Sequence, residues 1–284
     1  LRLRRVGAML GVLLALAWAV VLPSAYTPRE SEGDLRPLAR VLSEKAEPGD
    51  GVLVGYIWQE GILRLYAPRA PVHYYLDRFA AEKREGALQR LFADHPRLWL
   101  VTYGAPLQND QGNPTGWWLE QHAARALLAE EGQERAVLYL PYPAAGSPQE
   151  RATFEQGIAL TYTPLSRVTL AGQALLVTLH WEVSEPLSQT YGVFVHLMDV
   201  AETKVWAQHD GDPANSTRSF LSLVPGEPVT DCHVLWLPGD MPPGDYKVVT
   251  GLYRRDAAER LSVVYGPEPG ALRCVVGQVH VPTQ

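Results

Sequence analysis

Hydrophobic and polar positions fall into three regimes along the chain. Val6 to Leu22 form an uncharged run behind Arg2, Arg4 and Arg5, followed by Pro-Ser-Ala-Tyr. From Asp34 to about Tyr142, stretches with apolar residues at helical spacing alternate with short continuous apolar runs. In "DLRPLARVLSEKA", Leu35, Leu38, Val41 and Leu42 share one helical face, Asp34 is the expected N-cap, and Pro37 sits in the first turn, where its missing N–H costs nothing. "VLVGYIW", "VHYYL", "RLWLVTYG" and "RAVLYLPYP" read as strands. "QEGILRLYA", "AAEKREGALQRLFADH" and "GWWLEQHAARALLAEEG" read as helices, the last closed by Gly132. This alternation predicts a small parallel, Rossmann-like sheet of about four strands covered on both faces.

"PYPAAGSPQERATF" breaks the rhythm and reads as a linker. Beyond it the period becomes two, clearest in "VTLHWEV" and "VFVHLMD", with Gly, Pro and Asp clustered in turns such as "HDGDP", "LPGDMPPGD" and "YGPEPG". Strand count and spacing predict a β-sandwich, immunoglobulin-like or jelly-roll. The expected organisation is therefore a membrane segment at 1–26, an α/β domain at 27–142, a linker at 143–156 and a sandwich at 157–284.

The opening run of seventeen residues would span about 26 Å as a helix, slightly less than a hydrocarbon core of ~30 Å. Signal peptide, single anchor and last span of a larger membrane protein all fit its flanks. All three place the cationic end in the cytoplasm and the rest outside it. The first residue is Leu rather than Met, and the expectation adopted is a final transmembrane helix of a protein that continues upstream, located in the cell membrane.

Composition changes this picture little. Of 284 residues, 46% are apolar and 20% charged, and the formal net charge of -6 is spread without a basic stripe, which argues against nucleic acid as a partner. Cys232 and Cys274 are too few for a disulfide framework and lack metal or redox spacing. An exported location would permit them to pair, so Cys232–Cys274 is a disulfide candidate.

Chemical signatures are sparse. No G-x-G-x-x-G follows the first α/β strand, and no phosphate-binding loop or nucleophile elbow occurs, so no cofactor and no catalytic residue is expected. Asp199, Asp210 and Asp212 offer hard oxygens for a divalent cation, against the plainer reading that they close turns. Trp181, Trp206 and Trp236 lie in strands and form a sugar-stacking row if they face solvent, or core if they do not. Tyr56, Trp58 and His73 stand near strand ends, where open α/β sheets bind ligands. "NST" at Asn215 fits an N-glycosylation sequon.

The segments "VTLHWEVSEPLSQTYGVFVHLMD", "WAQHDGDP" and "PGEPVTDCHVLWLPGDMPPGDYKVVTGLYRRDAAERL" resemble the C-terminal extracytoplasmic region of multi-spanning membrane glycosyltransferases of the Chloroflexota, of the dolichyl-phosphate-mannose-protein mannosyltransferase-like type. "DLRPLARVLSEKAEPGDGVLV" is similar to the region after the last membrane helix of such enzymes. The resemblance implies transfer of sugar from a lipid-phosphate carrier by an upstream membrane-embedded portion, whose catalytic carboxylates map onto no position here. The chain itself is then expected to dock an acceptor or to be structural, with the membrane, the upstream portion and a glycan as partners. The alternative is a free-standing membrane-anchored or secreted carbohydrate-binding module.

Overall fold

The computed structural model describes residues 34–55, 57–66, 72–75, 81–103, 114–142, 149–164, 174–257 and 259–281. The expected membrane segment lies outside them, and among the described residues no helix is long and apolar enough to cross a membrane. The residues from Leu35 onward cluster as one unit.

The first layer is a sheet ordered β2-β1-β3-β5-β4, from β1 (Gly51–Val54), β2 (Val72–Tyr75), β3 (Leu98–Tyr103), β4 (Ala123–Glu131) and β5 (Glu134–Pro141). β1 pairs in parallel with β2 and β3, but β5 runs antiparallel to β3 and β4 antiparallel to β5. The small parallel Rossmann-like domain expected from the sequence is therefore corrected to a mixed sheet. The error sits in "GWWLEQHAARALLAEEG", which is helical only over α4 (Pro114–His122) and then becomes β4. Ala, Leu and Glu favour helix locally, but the full ladder between β4 and β5 supplies partners for an edge that would otherwise stand open. The β4–β5 hairpin turns at Gly132, whose φ of 59° suits glycine.

Helices cover both faces of this sheet. α1 (Arg36–Lys45) and α2 (Ile57–Tyr66) bury Leu38, Leu42 and Leu63 against Val52, Val54, Trp99 and Leu138. α3 (Ala81–Asp94) and α4 bury Leu88, Leu91 and Leu119 against Leu53, Leu98, Leu100 and Tyr139. The α1 N-cap is Leu35, with no side-chain cap bond, so the expected Asp34 cap is displaced by one residue. At Gly51 an added Cβ would lie 2.5 Å from a Leu98 methyl, so any larger residue there requires the Leu98 side chain to shift.

Most of the described residues belong to a β-sandwich. One sheet is ordered β10-β9-β12-β14, from β9 (Tyr191–Asp199), β10 (Val205–Gly211), β12 (Gly244–Arg254) and β14 (Cys274–Val281). The other is ordered β11-β8-β7-β6-β13, from β6 (Glu150–Phe154), β7 (Ile158–Tyr162), β8 (Ala174–Val183), β11 (Val229–Trp236) and β13 (Val263–Tyr265). β6 begins inside the stretch read as a linker, because "ERATF" finds an antiparallel ladder on β7. Alternate residues of β8 (Leu175, Val177, Leu179, Trp181 and Val183) face Val193, Val195, Leu197, Val248 and Val276 of the opposite sheet in a single core.

Candidate functional site

The mixed sheet meets the sandwich along β4 and β11, and a groove with a volume of about 320 Å³ opens where they meet. Lys45 and Glu47 enter it from the end of α1 and the turn after it, Arg97 from the start of β3, and Leu127 and Leu138 from β4 and β5. Trp236 and Leu237, at the end of β11, form the sandwich side.

The polar wall is built on a buried carboxylate. Asp50 accepts the Glu47 N–H at 3.0 Å and the Trp99 indole N–H at 2.8 Å on Oδ2. Arg97 Nε lies 3.0 Å from Asp50 Oδ1, within ion-pairing distance though not aligned for a hydrogen bond. The same guanidinium donates to the Lys45 carbonyl at 2.9 Å and pairs with Glu47. Burial raises the Asp50 carboxyl above its usual range, opposed by the Glu47 N–H, Trp99 and Arg97. Arg97 and Asp50 are both almost fully enclosed, so their orientation is fixed by the fold.

The aromatic wall is Trp236, 36% exposed, with its indole N–H bonded to the Ala126 carbonyl of β4 at 2.8 Å. That bond crosses from sandwich to mixed sheet and fixes the ring at the groove mouth. The groove thus joins one anchored aromatic ring to the Glu47–Arg97 pair and the ammonium of Lys45.

The sequence matches no protein-family model and no curated protein. Solved structures give partial overlaps. A β-glucuronidase from glycoside hydrolase family 2 matches at 8% identity and a TM-score of 0.23, covering 52% of this chain and 13% of that one. A putative β-galactosidase from Bacteroides fragilis matches at 14% identity and TM-score 0.23, covering 52% and 18%. β-Glucosidase 3B from Thermotoga neapolitana, in complex with glucose, matches at 16% identity and TM-score 0.23, covering 51% and 18%. This chain spans less than a fifth of each enzyme. At these scores the overlaps decide neither fold family nor activity.

The residues singled out from the sequence do not form one site. Trp181 is fully buried in the sandwich core, its indole N–H bonded to Asp231 at 3.0 Å. Trp206 is partly buried beside Tyr246, and Lys204 Nζ covers its ring at 3.2 Å. The three tryptophans therefore make no solvent-facing row, and only Trp236 lines the groove. Trp58 is 44% exposed on α2, His73 pairs through its backbone with Val52, and Tyr56 lies outside the described residues.

The three aspartates close turns and ion pairs. Asp199 accepts from the Thr203 N–H at 2.6 Å, the Thr203 hydroxyl at 2.5 Å and the Lys204 N–H at 3.1 Å, and the Thr203 hydroxyl first, then Lys204, holds its carboxyl below the usual range. Asp210 Oδ1 lies 3.2 Å from His196 Nε2, and Asp212 pairs with Arg255 at 2.8 Å. Among the described residues no group of three or more His, Cys, Asp or Glu is arranged to hold a metal ion. Cys232 and Cys274 are both free and buried, Cys232 beside Thr178 at 3.2 Å and Cys274 beside Tyr162 at 3.6 Å. The expected disulfide is thus corrected: the two lie on strands of opposite sheets with separate partners.

Sequence reasoning missed the groove wall of Lys45, Glu47 and Arg97, in which Arg97 comes from about fifty residues further along the chain than the other two. It also missed a buried polar cluster on β11. The available signal was "TDCHV", which sets Asp231 and His233 at i and i+2 on one face of an otherwise apolar strand.

Proposed function

We propose that this chain is a non-catalytic, extracytoplasmic docking region for a glycan acceptor, working beside the membrane-embedded portion of a glycosyltransferase-like protein, with the groove at Trp236 as its saccharide site. The observation that carries the reading is the anchored Trp236 ring facing the Glu47–Arg97 pair across one groove. An indole face takes the apolar C–H side of a pyranose ring, while an adjacent carboxylate and guanidinium accept from and donate to its hydroxyls. Lining charges balance, with Lys45 and Arg97 against Glu47 and the Asp50 behind it, which favours a neutral sugar over an anion. The volume lies at the small end of ligand sites, ~300–1,000 Å³.

A glycan array spanning bacterial envelope polysaccharides and mannose- and glucose-containing oligosaccharides tests this. Binding by the wild type that falls at least about tenfold in Trp236→Ala, with Trp236→Phe between them, supports it. Absence of wild-type binding across the array counts against it.

The same groove suits a free-standing carbohydrate-binding module, because the described residues lining it all lie between Lys45 and Leu237 of this chain. The DNA upstream of Leu1 separates the two readings. An open frame encoding further apolar spans supports the first, and an in-frame stop supports the second.

A further inference from the structure

β11 turns Asp231 and His233 into the sandwich, on the face shared with Leu179 and Val177 of β8, whereas Cys232, Val234 and Trp236 on its other face meet the mixed sheet. Asp231 accepts the Trp181 indole N–H at 3.0 Å, the Ala214 N–H at 3.0 Å and a bond from His233 Nε2 at 2.8 Å. The bond to Asp231 puts the proton of a neutral His233 on Nε2, and its Nδ1 is left buried with no partner. His209, from β10, meets this ring edge-on with centroids 4.9 Å apart, and its own Nδ1 is also buried without a partner.

The charged and titratable groups facing His209 are His233 and Asp231 from β11, Arg125 from β4 and Asp210 beside it on β10. Arg125 in turn bonds the Asn215 carbonyl at 2.7 Å and lies 3.4 Å from Glu120, tying β4 to the turn just after β10. A proton on His209 therefore adds a cation to a desolvated space already holding a second imidazole and a guanidinium. Burial first, then His233, pull the His209 imidazolium down to about 4.

We propose that the His209–His233 pair is an acid-sensitive latch between the two sandwich sheets: protonation forces the imidazoles apart and loosens β10 from β11. The latch stands apart from the docking reading above. An unfolded histidine takes its proton near 6.5, so the folded form binds fewer protons between that value and about 4. Stability from this source is complete above about pH 6.5 and is lost as pH falls towards 4.

The test is thermal melting and amide hydrogen exchange of the full chain from pH 7.5 to 4.5, for wild type, His209→Phe and His209→Gln. The wild-type melting temperature is expected to fall between pH 7 and pH 5 by about 5 °C more than that of either variant. Loss of exchange protection at pH 5 is expected to concentrate in β10 and β11 of the wild type only. Equal pH slopes, or uniform loss of protection, overturn the latch. Imidazole NMR of the wild type decides the case even if the variants do not fold: a His209 that titrates near 6.5 in the native protein ends the proposal, and one that stays neutral to about 4 sustains it. A steeper wild-type slope with no saccharide binding at pH 7 leaves the latch standing and removes the docking reading. Saccharide binding with identical slopes does the reverse.

Discussion

Asn215 and Arg125 hold each other through side chain and main chain together: Asn215 Oδ1 accepts the Arg125 N–H at 3.0 Å, and the Asn215 carbonyl accepts from the Arg125 guanidinium at 2.7 Å. The Asn215 amide also donates to the carbonyls of Glu120 at 3.0 Å and Ala123 at 2.8 Å. One buried asparagine of the sandwich thus satisfies the backbone where α4 ends and β4 begins.

Asn215→Ala leaves those groups unpaired in the interior, and its expected cost is about 2–4 kcal/mol, read as a lower urea midpoint. The same burial leaves no room for a glycan on the Asn215 amide in the folded chain. After passage through a eukaryotic secretory pathway, folded protein is expected to carry no glycan at Asn215 by mass spectrometry.

Ala214, Asn215 and Ser216 have φ of 54°, 54° and 63°, a left-handed run just after β10 that is held by the Ala214 N–H donating to Asp231 and the Thr217 hydroxyl donating to the Ala214 carbonyl. Ser216 is exposed, so glycine there loses no packing. Ser216→Gly is expected to stabilise by about 0.5–1 kcal/mol, seen as a higher melting temperature, despite the greater freedom of glycine in the unfolded chain.

Burial pushes the Cys232 thiol up to about 12 and raises Cys274 as well. Native protein is expected to give no fast reaction with a thiol reagent at pH 8, and both thiols should react after denaturation. A mass increase on reduction of the unreduced, denatured protein would contradict the free-thiol assignment.

Glu202 is bonded by Arg273 at 2.7 Å and Lys247 at 2.8 Å, and these, Arg273 first, hold its carboxyl down to about 2 from 4.5. A depressed carboxylate contributes stability that is present above about pH 4.5 and is lost as pH falls towards 2. The stability difference between wild type and Glu202→Gln in urea is therefore expected to be larger at pH 7 than at pH 3.

The parts legible in the sequence were those where local pattern and tertiary packing agree. The alternation in "ALLVTLHWEV" becomes the alternately buried β8, and Leu38 and Leu42 of α1 face the sheet as their spacing requires. Where the two disagreed, packing decided. "AARALLAEE" has helical propensity yet pairs with β5, and "ERATF" carries no strand pattern of its own yet pairs with β7. The site was less legible, because its walls come from segments nearly two hundred residues apart and Trp236 differs from Trp181 only in which way its strand position points. Charge and spacing near Asp199, Asp210 and Asp212 suggested a cation, whereas each carboxylate is used by a turn or by a neighbouring His or Arg.

The groove is tested most directly by NMR titration of isotope-labelled protein with the best array glycan. The expected result is a saturable shift of the Trp236 indole N–H and of the amides of Lys45, Glu47 and Arg97, with Trp181 unmoved and no saturable shift in Trp236→Ala. Shifts confined to the exposed face at Val264, Tyr265 and Leu272, or no shift with any glycan, would contradict it.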